Sequence, residues 1–327
     1  MQINEYLKKH QPVIYRTFEN AIKGDHLSHA YLLSGSVGMP LKDVAIYLGK
    51  SLICDEPNPL ACDNCITCMR VDEGNYPDFM IFDGEAGKIK KGDIEKIIDN
   101  FDKSALESKG IMIYVLHLVE TMTPIAVNSL LKFLEEPGKN IYAFLTTENE
   151  SKVLPTIISR TQVLRFKSIN RDEVIKESLE MGVLDEDAEL LSAFYNDSNT
   201  IKRISEEDNY QIAKQALNDQ LNSLLMSPED AVFTCERLII PKIKTNDIAR
   251  LYLKMLAEVF QNLLNLSIGE DIVLKSYDTI LRELISHLSN IDKSLITIMT
   301  ASNKLDLNVN IGLLLDHIVY QITKEGK

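Results

Sequence analysis

Four of the five cysteines fall within fifteen residues, as Cys54-x7-Cys62-x2-Cys65-x2-Cys68. Four thiolates brought together can complete a tetrahedral zinc shell, and C-x2-C is a common chelating turn. Unpaired structural thiols and two disulfides are the alternatives. Disulfides are disfavoured, because MQINEYLKKHQP at the N-terminus has no apolar core behind its lysines and reads as no export signal. Zinc is therefore favoured, and a full shell of four sulfurs leaves no open position for water, so its role is structural. Cys235 stands alone in a helical pattern and reads as a small buried hydrophobe.

A second stretch, Ser34-Gly-Ser-Val-Gly-Met-Pro-Leu-Lys-Asp43, lies where a phosphate-binding loop belongs, between an apolar run and a helix. A working loop of this kind, G-x-x-x-x-G-K-[ST], cradles phosphate on backbone N–H groups, neutralises it with the lysine and binds magnesium through the hydroxyl. Counted from Gly35, those three positions hold Pro40, Leu41 and Lys42. Proline removes an N–H and leucine puts hydrocarbon where the ammonium belongs. Sliding the frame to use Lys42 lengthens the loop and leaves Asp43 at the magnesium position. The apolar run 111–116 should then end in two acids, yet it ends in His117-Leu118, with Glu120 the nearest carboxylate. Both halves of the hydrolytic machinery are missing, so no ATP hydrolysis is expected; Gly35 and Gly38 read as vestiges. His117 reads as a structural histidine. Arg160, in Pro155-Thr-Ile-Ile-Ser-Arg-Thr161, is by residue type a surface or salt-bridge arginine. The same planar, always-charged fork also suits γ-phosphate stabilisation across a subunit boundary.

The elements that must position these residues alternate. Apolar runs at 30–33, 78–83, 111–116, 141–147 and 163–166 read as strands. Ile14, Phe18 and Ile22 mark one helical stripe, and a helix is expected near 43–53. Ile94, Ile97, Ile98 and Phe101 mark another stripe, as do Val127, Leu130, Leu131 and Leu134. The last of these helices should start at Thr123 as N-cap with Pro124 at its first position, and stop at Pro137-Gly138. Such alternation predicts a parallel sheet with helices on both faces. Beyond residue 167 the strand signals fade. The expected organisation is an α/β domain over 1–168 carrying a zinc module at 54–68, a small helical domain over 169–210, and a helical bundle over 211–327.

Net charge is −13 over 327 residues and is uneven: residues 1–168 hold 19 basic against 22 acidic residues, and 169–327 hold 16 against 26. The acidic half argues against unaided DNA binding and for protein partners. With no apolar run long enough to span a bilayer, a cytoplasmic protein without membrane association is expected.

Several segments resemble the bacterial clamp-loader subunits, a branch of the AAA+ proteins. They are Asn128-Ser-Leu-Leu-Lys-Phe-Leu-Glu-Glu-Pro137, His29-Ala-Tyr-Leu-Leu-Ser-Gly35, the four-cysteine module, Leu154-Pro-Thr-Ile-Ile-Ser-Arg-Thr-Gln162 and Asn308-Val-Asn-Ile-Gly-Leu-Leu-Leu-Asp316. In that family the gamma/tau subunits keep an intact phosphate loop, whereas one subunit commonly carries a decayed one, as here. The resemblance implies an AAA+ module, a helical lid and a collar domain within a hetero-pentamer with gamma/tau and delta subunits. Through that complex it implies contact with the sliding clamp and primed DNA, as part of DNA polymerase III. It also implies a Ser-Arg-Cys motif whose arginine reaches a neighbour's ATP; here the motif is Ser159-Arg160-Thr161, with threonine replacing cysteine. An active ATPase using the Lys42 frame and a zinc-containing DNA-repair module are the competing readings. Against the latter, Lys88-Ile-Lys-Lys91 is the one basic cluster near the cysteines.

Overall fold

The computed structural model describes residues 3–85, 87–101, 105–136, 138–288, 290–305 and 309–324. The expected stop at Pro137 and the first residue of the 308–316 segment lie outside them. The chain divides into two units, Met1–Ile169 and Asn170–Lys327.

In the first unit, α1 (Ile3–His10) and α2 (Pro12–Lys23) precede β1 (Ala30–Ser34), α3 (Leu41–Ile53) and α4 (Ile66–Asp72). Then follow β2 (Phe79–Asp83), α5 (Lys91–Phe101), β3 (Met112–His117), α6 (Pro124–Glu135), β4 (Ile141–Thr147), α7 (Pro155–Ile158) and β5 (Gln162–Arg165). The five strands form one sheet in the order β2-β3-β4-β1-β5, and every pairing is parallel. All strands therefore end on one edge, and the loops after Ser34, Asp83, His117, Thr147 and Arg165 share that rim. In open parallel sheets this is the edge where ligand chemistry collects.

The pleat sorts side chains into two cores. Tyr31, Leu33, Ile113, Val115 and Phe144 pack with α1, α2 and α3 on one face. Their sequence neighbours Leu32, Tyr114, Leu116, Ala143 and Leu145 pack with α5 and α6 on the other. Every residue of β1 and β3 is buried, which is why these strands read as unbroken apolar runs. Tyr31 stacks on Phe144 with ring centroids 5.4 Å apart, and the Phe18 ring of α2 closes edge-on against Tyr31. The expected start of α6 is present: Thr123 Oγ1 accepts the Ala126 N–H at 3.3 Å, and Pro124 follows it.

Among the described residues of the second unit, the regular elements are all helices. It comprises α8 (Arg171–Glu180), α9 (Asp185–Leu191), α10 (Ser198–Ser205), α11 (Asp208–Met226), α12 (Pro228–Thr234) and a π-turn at Cys235–Ile239. There follow α13 (Asn246–Ser267), α14 (Asp278–His287), α15 (Ile291–Lys304) and α16 (Ile311–Lys324). Tyr252, Leu256, Val259, Phe260 and Leu263 of α13 are fully covered. A buried polar cluster ties α9 to α11: Asp187 accepts from Tyr210 Oη at 2.6 Å and from Lys214 Nζ at 2.7 Å. Cys235 is buried, as a small apolar residue would be, and burial pushes its thiol up to about 12. No helix among the described residues is long and apolar enough to cross a membrane.

Candidate functional site

Helix α3 carries a candidate site at each end. At its N-terminal end the loop keeps its place after β1, and Gly38 has φ +83°, a left-handed conformation that suits glycine. The surroundings of Gly35 are tight: a Cβ there would lie 2.8 Å from Met39 Sδ and 3.0 Å from Leu41 Cδ2. Leu41, at the lysine position, is 0% exposed and belongs to the core between the sheet and α3. Pro40 stands as the N-cap of α3 without a capping side chain.

Residues distant in sequence complete these surroundings. The Gly38 N–H, one of the groups a phosphate oxygen would meet, faces Glu148 Oε1 at 3.4 Å. Burial pushes the Glu148 carboxyl up, the Gly38 N–H pulls it down, and repulsion from Glu120 adds to the rise. Lys42 is ion-paired with Asp83 at the end of β2. Burial would raise the Asp83 carboxyl, but Lys42 and the Glu85 N–H hold it below its usual value. His117 is buried, with Nδ1 2.7 Å from Thr146 Oγ1 and Nε2 3.6 Å from Glu85 Oε1. Glu120 Oε1 accepts the N–H groups of Glu148 and Asn149 at 2.8 and 3.2 Å, so it is committed to backbone. Asp83, Glu85 and His117 bring ligand atoms within 4.8 Å of one another. One of the three, Asp83, is ion-paired with the Lys42 ammonium.

At the C-terminal end of α3 the arrangement is the opposite. Cys54 is the residue after the helix, and Cys65 is the N-cap of α4, accepting the Cys68 N–H. All four sulfurs lie within 4.8 Å of one another, with Cys54 Sγ 3.5 Å from Cys62 and 3.9 Å from Cys65. A tetrahedral shell with Zn–S near 2.3 Å has sulfurs roughly 3.8 Å apart, so the donor set fits zinc. All four are free thiols. The N–H groups of Cys62, Cys65 and Cys68 point at the sulfurs of Cys54, Cys62 and Cys65, at 3.4, 3.3 and 3.4 Å. Burial pushes the Cys54 and Cys68 thiols up. Burial acts the same way on Cys65, but N–H donation from Cys68 and Asp55 outweighs it and brings that thiol to about 7. Four sulfurs at this density cannot all ionise without a cation among them.

The loop is anchored to α3 by Lys50, 5% exposed, whose Nζ lies 2.6 Å from Asp63 Oδ1 and 2.9 Å from Asp72 Oδ1. Burial would lower the Lys50 ammonium; the two carboxylates overcome this and raise it. Ser51 Oγ accepts the Ala61 N–H at 2.9 Å, and Tyr47 Oη donates to the Ala61 carbonyl at 3.2 Å.

Arg160 lies between α7 and β5 and is a third of the way exposed, at 33%. Its Nη1 donates to the Thr156 carbonyl at 3.0 Å and to Ser159 Oγ at 3.4 Å, and its Nη2 donates to Glu135 Oε1 at 2.7 Å. Thr161, at the departed third position of the motif, turns its hydroxyl back onto the Ile157 carbonyl at 3.1 Å. Sequence reasoning singled out the cysteines, the glycines and Arg160. It missed Glu148, Asp83, Lys50 and Glu135, each joined to its site across at least 13 residues of chain. No local spacing signals such pairs.

The strand order, the glycine loop after β1 and the helix that follows define an AAA+-type α/β module joined to a helical C-terminal unit. A solved DNA polymerase III gamma subunit-related protein from Thermotoga maritima shares this fold over 95% of this chain and 99% of that one, with TM-score 0.52 and 18% identity. The family model described as "DNA polymerase III, delta subunit" matches residues 10–170. The DNA polymerase III subunit delta' of Bacillus subtilis is 30% identical over 321 residues, covering 97% of each chain. A DNA polymerase III subunit gamma of Buchnera aphidicola is 34% identical over 169 residues, 50% of this chain and 44% of its own. The chain belongs to the delta' family of DNA polymerase III clamp-loader subunits.

Proposed function

We propose that this chain is the non-hydrolysing member of a clamp loader and that its chemistry is directed outward. Arg160, within Ser159-Arg160-Thr161, completes the ATP site of a neighbouring gamma/tau subunit. Residues 169–210 form the lid and 211–327 the collar, through which the chain joins gamma/tau and delta subunits in a hetero-pentamer. Primed DNA and the sliding clamp are met through that complex. Zinc on Cys54, Cys62, Cys65 and Cys68 is structural: when bound, it cross-links the 54–68 loop. The protein's own residues anchor that loop to α3 through Lys50.

One observation carries the reading. Pro40 and the fully buried Leu41 stand where the glycine and the lysine of a working loop belong, and Glu148 faces the Gly38 N–H, whereas the Arg160 side chain is one-third exposed. The Lys42 frame is disfavoured by that residue's ion pair with Asp83. The test is a complex assembled with Arg160→Ala. Fingers supplied in trans are worth about 10³–10⁵ in rate in GTPases, and other sites in the ring dilute the effect, so a fall of at least about ten-fold in DNA-stimulated turnover is expected. Unchanged ATPase and clamp loading in an intact complex would refute the assignment.

A further inference from the structure

We infer that Glu135 is a competing counter-anion for Arg160, an intramolecular carboxylate that holds the guanidinium until a phosphate displaces it. The inference rests on the trans-finger reading above. Arginine has five N–H donors in one rigid plane. The orientation of that plane is set from within the arginine's own turn, because Nη1 donates to Thr156 O and Ser159 Oγ. Nη2 is the limb committed elsewhere, to Glu135 Oε1 at 2.7 Å, near the end of α6 and 25 residues away in sequence. Glu135 therefore adds little to direction. It supplies charge at the position on the guanidinium where a phosphate oxygen would bind, by the same charge-assisted contact.

The exposure of the pair makes the exchange feasible. Arg160 is 33% exposed and Glu135 50%, so the contact is screened by water and neither group is trapped. A pair of this kind is weak, whereas a nucleoside triphosphate with its magnesium presents several oxygens and a denser charge. The carboxylate thus sets a threshold: weak anions leave Arg160 on Glu135, and a neighbour's triphosphate takes it. Removing the competing charge should tighten the ground state and the transition state equally. Such uniform tightening lowers the half-saturating ATP and leaves the maximal rate alone.

The experiment uses the assembled complex and compares Glu135→Gln, Glu135→Asp, Arg160→Ala and Arg160→Ala/Glu135→Gln. Half-saturating ATP and maximal rate of DNA-stimulated hydrolysis are read for each. Glu135→Gln should lower half-saturating ATP about two- to five-fold, the range an exposed ion pair permits, with maximal rate unchanged. Glu135→Asp keeps the charge and should retain the wild-type value. In the Arg160→Ala background the Gln substitution should do nothing. No effect of Glu135→Gln in an intact complex would overturn the inference, and so would an equal effect without Arg160, which would make Glu135 merely structural. If Arg160→Ala alone changes nothing, the finger reading itself falls and this inference with it.

Discussion

The two ends of α3 invite comparison. Each terminates in a loop placed where a ligand is expected, yet one carries a proline and a buried leucine in place of the ligand-binding residues and the other presents four converging sulfurs. At the N-terminal end, Met39 and Leu41 crowd Gly35 and pack in the core, and Glu148 takes the Gly38 N–H. At the C-terminal end, three N–H groups aim at sulfur, and the four sulfurs lie within 4.8 Å of one another. A helix needs both ends held, and each loop achieves this differently. At the N-terminal end Leu41 packs into the core and the Glu148 carboxylate meets the Gly38 N–H. At the cysteine end a buried lysine and a serine tie the loop to the helix.

Breaking the metal end should cost most. Cys68→Ser, at a fully buried position, is expected to abolish zinc retention and lower the Tm of the first unit by roughly 10 °C, as loss of a structural metal does. Metal analysis and thermal unfolding check it together. Next comes an attempted repair of the other end. Leu41→Lys restores a lysine to the sequence position but buries an ammonium in a core site. It should destabilise the protein by about 3 kcal/mol and yield no magnesium-dependent ATP binding, as read by denaturant unfolding and a labelled-nucleotide titration. A gain of binding would show that the loop still admits nucleotide.

Lys50→Met tests the anchor of the zinc loop. It strands Asp63 and Asp72 without their cation, and because Asp72 is half exposed the expected loss is about 2 kcal/mol rather than the larger cost of a fully buried pair. Zinc should leave this variant faster under chelator. The smallest effect is expected from Lys42→Met, under about 1 kcal/mol for a partly exposed pair. Its pH dependence carries a sign: the folded Asp83 carboxyl is lowered, with Lys42 overcoming burial, so its contribution is complete above the ordinary carboxylate pKa. It disappears as pH falls through the lowered value. The difference between wild type and Lys42→Met should therefore shrink in acid; a constant difference would mean that the pair contributes nothing.

Much of this was legible in the sequence because it is local. Cysteine spacing, the apolar runs of β1 and β3, and the Thr123-Pro124 start of α6 each arise from residues a few positions apart. The departure of the phosphate loop from a working pattern was also legible, since Pro40 and Leu41 differ by type from what that chemistry uses. What surrounds the loop was not. Glu148 reaches Gly38 from the far end of β4, and Asp83 reaches Lys42 from the edge strand, because a parallel sheet gathers the ends of distant strands on one rim. Only the strand order puts those carboxylates beside the loop. The pairing of Arg160 with Glu135 is of the same kind, with α6 and the turn after α7 meeting across an intervening strand.

The contrast between the two ends of α3 is tested most directly by the nucleotide bound per chain, measured on purified protein after gel filtration in ATP and magnesium, with zinc determined on the same sample. The account predicts about one zinc per chain, as a four-sulfur shell holds, and nucleotide at background. Nucleotide retained near one per chain would contradict it.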